Sequence, residues 1–87
     1  ADDRPRLQIL NGSYQAVDVF WLKNDDERVS VATIAPSAND VVDTTIGHRF
    51  LVVGQKDGAE AEVVSKTRIQ AFRFDPKGKD GIPRFYT

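Results

Sequence analysis

Apolar positions recur at every second residue in short runs along this chain, and turn-forming residues cut the runs apart. Residues 6–10 alternate as a first short strand, and Asn11-Gly12-Ser13 then predicts a turn. Glycine tolerates positive φ there, and Asn and Ser side chains bond to nearby backbone. Residues 14–22 read as a second strand, with Val17, Val19 and Trp21 on one face and Asp18 on the other. Its β-branched and aromatic content weighs against a helix. Residues 23–28 form a solvated hairpin loop returning through residues 29–34, where Val29 and Val31 alternate with small or polar side chains as in a half-buried strand. Residues 35–40 turn again, because Pro36 lacks a donor and disfavours helix at Ala35.

The chain is organised around Thr44-Thr45-Ile46-Gly47-His48-Arg49-Phe50-Leu51-Val52-Val53, a polar run that passes through one glycine into the most apolar segment. Residues 41–45 lead into it as a strand, Gly47 breaks the side-chain period, and residues 48–55 form a buried central strand. His48, the only histidine, stands at that strand's mouth, on the face that carries Phe50 and Val52 and close to the hydroxyls of Thr44 and Thr45. After a turn at Lys56-Asp57-Gly58, strands are expected at residues 61–65 and 68–74, with Gln70, Phe72 and Phe74 opposing Ile69 and Ala71. Lys77-Gly78-Lys79-Asp80-Gly81 would close a final hairpin onto residues 82–86. No segment supports a helix of useful length. Short strands punctuated in this way predict an all-β fold, an antiparallel β-sandwich, filling one domain over residues 6–87 behind a flexible lead-in at residues 1–5.

Composition narrows the functions open to such a domain. The 87 residues suffice for one modest core. Twelve basic against thirteen acidic side chains leave a net charge of −1 with no basic stripe, which points away from nucleic acid and from anionic membranes. No apolar run approaches the roughly 20 residues that span a bilayer. The absence of cysteine removes disulfides, thiol nucleophiles and thiolate zinc sites. The lone histidine has no Gly-x-Ser-x-Gly partner motif, so catalysis is not expected. Asp2-Asp3, Asp25-Asp26-Glu27 and Glu60-x-Glu62 read as solvated loop charges without the ligand spacing of a calcium loop, and no metal or cofactor is expected. The chain lacks methionine and opens on Ala1, consistent with signal-peptide removal in a secreted or periplasmic protein or with excision from a longer one; the compartment stays open.

Several short motifs together carry a family resemblance. Ile9-Leu10-Asn11-Gly12-Ser13, Trp21-Leu22, Thr33-Ile34-Ala35-Pro36 and Thr44-Thr45-Ile46-Gly47-His48-Arg49-Phe50 resemble, in order and spacing, the β domain of the von Hippel-Lindau tumour suppressor family. Asp80-Gly81-Ile82-Pro83-Arg84-Phe85 is similar to that family's closing segment. The resemblance implies a prealbumin-like sandwich of seven to eight strands. It also implies a peptide-binding module that recognises hydroxyproline in an extended peptide, as the family does with hypoxia-inducible factor.

Carried over position by position, Trp21 matches the tryptophan that walls the hydroxyproline pocket and His48 the histidine that bonds the added hydroxyl. Thr44 stands for a serine and Phe50 for a second tryptophan, while Val31 replaces a tyrosine that contacts the peptide. The resemblance therefore implies a ligand site of Trp21, Thr44, His48, Phe50 and Val31, with Trp21 and Phe50 enclosing the pyrrolidine ring and Thr44 and His48 reading its hydroxyl. Binding is expected to be weak and to change on acidification through about pH 6.5, where an ordinary imidazole takes up a proton. The implied partner is an extended peptide or protein, prolyl-hydroxylated or similarly hydroxylated. The family's helical domain has no counterpart here, so no ubiquitin-ligase adaptor is expected to bind. The competing expectation is a structural or protein-interaction sandwich without such a pocket, recruiting an extended strand through a sheet edge.

Overall fold

The computed structural model describes residues 4–75, which form seven strands and no helix. These are β1 (Arg6–Asn11), β2 (Val17–Leu22), β3 (Arg28–Ile34), β4 (Asn39–Asp43), β5 (Arg49–Gly54), β6 (Glu60–Val64) and β7 (Ile69–Phe74). They build two sheets of order β4-β1-β7 and β3-β2-β5-β6, the two layers of an all-β sandwich. The strand expected at residues 82–86 lies outside the described residues.

Alternation places the core. Leu7, Ile9, Val17, Val19, Ile34, Phe50, Val52, Ala61, Val63, Phe72 and Phe74 are buried, each large apolar side chain removed from water contributing about 1.5–3 kcal/mol. Gln70, Phe72 and Phe74 of β7 face inward and Ile69 and Ala71 outward, as the period of two requires.

Three expectations are corrected. All the paired strands were expected antiparallel, yet β1 and β7 pair in parallel, Arg6 with Ile69 through Asn11 with Phe74. Tight turns dictate opposite directions only for strands they join, and β1 and β7 are separated by almost the whole chain. The second strand begins at Val17 rather than residue 14, since residues 12–15 form a loop held by the Asn11 side chain, which donates to the Gln15 carbonyl and accepts from the Ser13 N–H. Val29 and Val31 are 41% and 42% exposed instead of half-buried. A bulge is the cause: Val19 pairs with Ala32 and Phe20 with Ser30, leaving Val31 unpaired. The strand also lies at the edge of the wider sheet, where a three-stranded partner cannot cover its first half.

Loop backbone that finds no ladder partner is satisfied by buried amide side chains. The Gln70 carbonyl oxygen accepts from the Lys66 N–H at 2.8 Å while its amide donates to the Val64 carbonyl at 3.0 Å, holding the β6–β7 connection. The turn expected around Pro36 runs from Ala35 to Ala38, closed by Ala38 N–H donating to the Ala35 carbonyl at 3.1 Å. Its third residue, Ser37, has φ of 64°, a left-handed conformation that suits glycine. We expect Ser37→Gly to raise stability by about 0.5–1 kcal/mol, the left-handed strain relieved exceeding glycine's extra chain entropy. Urea unfolding checks this, and a loss of stability would contradict it.

Candidate functional site

Where β4 ends and β5 begins, the two sheets part and leave a groove of about 310 Å³. It is lined by Arg4, Trp21, Val31, Asp43, Thr44, Thr45, His48 and Phe50. The five residues singled out from the sequence, Trp21, Val31, Thr44, His48 and Phe50, thus converge from three separate stretches of chain on one surface.

The tight connection between β4 and β5 is what brings His48 there. His48 N–H donates to the Thr45 carbonyl at 3.0 Å, and Gly47, third in this four-residue turn, has φ of 96°. Only a residue without Cβ takes that conformation cheaply, which is why the side-chain period breaks at this point. Two further backbone bonds fix the turn to the end of β6: Gly47 N–H donates to the Ser65 carbonyl at 2.7 Å and Ser65 N–H to the His48 carbonyl at 2.9 Å. His48 lies just outside β5, half-buried, with its ring against Trp21 at a centroid distance of 5.2 Å and a tilt of 30°.

The aromatic arrangement departs from the expected clamp. Trp21 and Phe50 are register partners on adjacent strands, so their side chains share one face of one sheet. They form a floor, not two facing walls. Phe50 is 3% exposed and belongs chiefly to the core, whereas Trp21 is half-buried and offers more of its ring to the groove. Val31, the unpaired bulge residue, extends this floor toward the β3 edge.

The opposite wall comes from the other sheet and the residues after β4. Thr44, 7% exposed, donates its Oγ1 proton to the Thr45 carbonyl at 3.3 Å, long enough to be weak. Its backbone N–H donates to the Pro5 carbonyl at 2.9 Å, which extends the β1–β4 ladder beyond the strand ends. Residues 4 and 5 of the expected lead-in are therefore attached to the fold, while residues 1–3 lie outside the described residues. The same extension carries Arg4 to the groove, where its guanidinium approaches the Asp43 carboxylate at 3.6 Å.

Thr45, placed near His48 by the sequence, also lines the groove, whereas Arg4 and Asp43 are lining residues that the sequence did not single out. No local signal marks them, because their place depends on pairing between segments almost 40 positions apart. The groove is apolar along its floor, with hydroxyl and imidazole groups at its inner end and opposite charges at its mouth. Such a surface suits a small ring bearing a polar substituent. Among the described residues, no group of three or more His, Cys, Asp or Glu side chains stands close enough together to hold a metal ion.

No protein-family model matches the chain, and no curated protein matches it. A protein from Eubacterium rectale whose structure was determined by NMR is similar in fold, with a TM-score of 0.60 and 12% sequence identity. The similarity spans 98% of this chain and 88% of that one. At such low identity the likeness carries the fold alone.

Proposed function

We propose that this domain is a non-enzymatic binding module that holds a hydroxylated pyrrolidine ring, as in hydroxyproline within an extended peptide, in the groove floored by Trp21, Phe50 and Val31. The observation that supports this reading most is convergence. Trp21, Thr44, His48 and Phe50, the residues that the resemblance to the von Hippel-Lindau β domain implies for the pocket, line one groove together with Val31, and the His48 ring is seated against Trp21. An apolar floor takes the ring's methylene edge, while Thr44 Oγ1 and the His48 imidazole supply a donor and acceptor for its hydroxyl. The Thr44 hydroxyl's existing bond at 3.3 Å is weak and readily exchanged for a ligand's. An unhydroxylated ring would leave those polar groups unpaired, a loss of about 1–3 kcal/mol per group.

The test is an NMR titration with peptides identical except for proline or hydroxyproline. We expect selective shifts at Trp21 and His48, and affinity for the hydroxylated peptide in the micromolar to millimolar range, on the order of −8 to −4 kcal/mol. His48→Ala should reduce the preference for hydroxyproline about tenfold or more by removing one of the two hydroxyl partners. Equal shifts with both peptides, or shifts remote from these residues, would refute the pocket.

A second reading draws on the exposure of Val29 and Val31 along the edge strand β3. An exposed edge can accept a partner strand through backbone bonds alone, although the bulge at Val31 works against extended pairing. This reading wins if Trp21→Ala and His48→Ala leave partner capture unchanged while proline substitutions in β3 abolish it.

A further inference from the structure

The groove has an ionic mouth above its apolar floor, and the two charges there are not equivalent. Asp43 is the last residue of β4, in register with Arg6 of β1, and the backbone of the next residue is held by the bond from Thr44 N–H to the Pro5 carbonyl. Its short side chain has little freedom to lose. Arg4 precedes β1 and reaches Asp43 with a long side chain, at 3.6 Å, beyond the 2.7–2.9 Å typical of a strong charge-assisted bond. Both side chains are about 60% exposed, at 60% and 59%. Ion pairs of this kind contribute little, because ordering a long side chain offsets most of the attraction. Arg4 is therefore the partner that yields when another cation arrives.

We infer that Asp43 makes the groove select a basic residue adjacent to the hydroxylated ring, and that Arg4 is a tethered competitor occupying the position of that residue. The inference rests on the reading of the groove as a hydroxylated-ring site. Seating the ring's hydroxyl between Thr44 and His48, the buried and half-buried end, directs the ligand backbone toward the exposed mouth. A neighbouring Lys or Arg then comes within reach of the Asp43 carboxylate, and an acidic neighbour is repelled by it. Because the pair is exposed, the preference should weaken as salt shortens the screening length.

Titration of the full 87-residue chain with short peptides tests this, using hydroxyproline flanked on both sides by Lys, by Ser or by Glu, and proline flanked by Lys. The Lys-flanked hydroxyproline peptide is expected to bind about fivefold tighter than the Ser-flanked one, the scale of a favourable exposed ion pair. The Glu-flanked peptide should bind more weakly than either. Asp43→Asn should equalise the Lys and Ser peptides, and Arg4→Gln should widen the preference for the Lys peptide over the Ser peptide. Equal affinity of the three hydroxyproline peptides, a preference for Glu, or a Lys preference that survives Asp43→Asn overturns the inference while leaving the ring reading intact. Equal binding of the Lys-flanked proline and hydroxyproline peptides overturns the ring reading and, with it, the inference that rests on it. No binding by any hydroxyproline peptide removes both.

Discussion

Asn11→Ala is expected to cost about 3–4 kcal/mol, because one buried amide closes three segments of the chain and its removal leaves several backbone groups unpaired. Its Nδ2 donates to the carbonyls of Gln15 at 2.7 Å, Ile34 at 3.0 Å and Ala35 at 3.1 Å, and its Oδ1 accepts from the N–H and hydroxyl of Ser13 at 3.0 and 2.6 Å. Two amide protons shared among three carbonyls leave no spare capacity. The side chain is 1% exposed, so water cannot take its place without opening the loop. Asn11→Asp should be at least as damaging, since it turns a carboxylate oxygen toward carbonyl oxygens where a donor is required. A domain of this length holds on the order of 5–10 kcal/mol in total. The expected melting-temperature loss is roughly 15 °C or more. A loss below about 1 kcal/mol in urea unfolding would show that the amide network is not what closes this end of the sandwich.

Gly54→Ala should cost about 2–3 kcal/mol, by displacing the Gln15 side chain from the turn it supports. A Cβ at position 54 would lie 2.6 Å from Gln15 Cδ, nearer than atoms can approach, so the amide must leave. Gln15 Oε1 accepts from the N–H groups of Lys56 at 2.7 Å and Asp57 at 3.0 Å, and Nε2 donates to the Asp57 carboxylate at 2.8 Å. Those donors lose their buried partner when it moves. The mechanism is separable by a double-mutant cycle: after Gln15→Ala, the same glycine substitution should cost under about 1 kcal/mol, since nothing remains to be expelled. Additive losses would mean that Gly54 acts through its own backbone.

These two amides lie at the end of the sandwich where β1, β3 and β5 finish and β2 and β4 begin, while the groove lies at the other end. One end is closed by side-chain bonds to loop backbone. At the other, the sheets part, the bulge at Val31 turns the edge strand away, and polar groups remain available to a ligand. The buried amide network and the candidate groove are thus separated in space. Any variant at Asn11 or Gly54 that still folds should keep the ligand preference that we propose for the groove.

Within the described residues, the sequence was enough to locate the seven strands approximately and to assign the faces of those that keep a regular period of two. Side chains that alternate with period two, such as Gln70, Phe72 and Phe74 against Ile69 and Ala71, need only local backbone geometry to separate inward from outward. Gly47 likewise announced the turn that carries His48, because glycine takes up positive φ without a Cβ clash. Trp21, Thr44, His48 and Phe50, the residues singled out from the sequence together with Val31, stand along one groove.

Tertiary structure decided everything that depended on pairing between distant segments. The parallel β1–β7 contact, the bulge that exposes Val31, the floor made by Trp21 beside Phe50, and the arrival of Arg4 at Asp43 all follow from strand register. Register is chosen by the packing of the whole sandwich, so no local pattern records it. The buried amides show the same division. Asn11 was readable as a turn residue bonding to nearby backbone, but its bonds to Ile34 and Ala35 exist only because the fold brings the end of β3 against the end of β1.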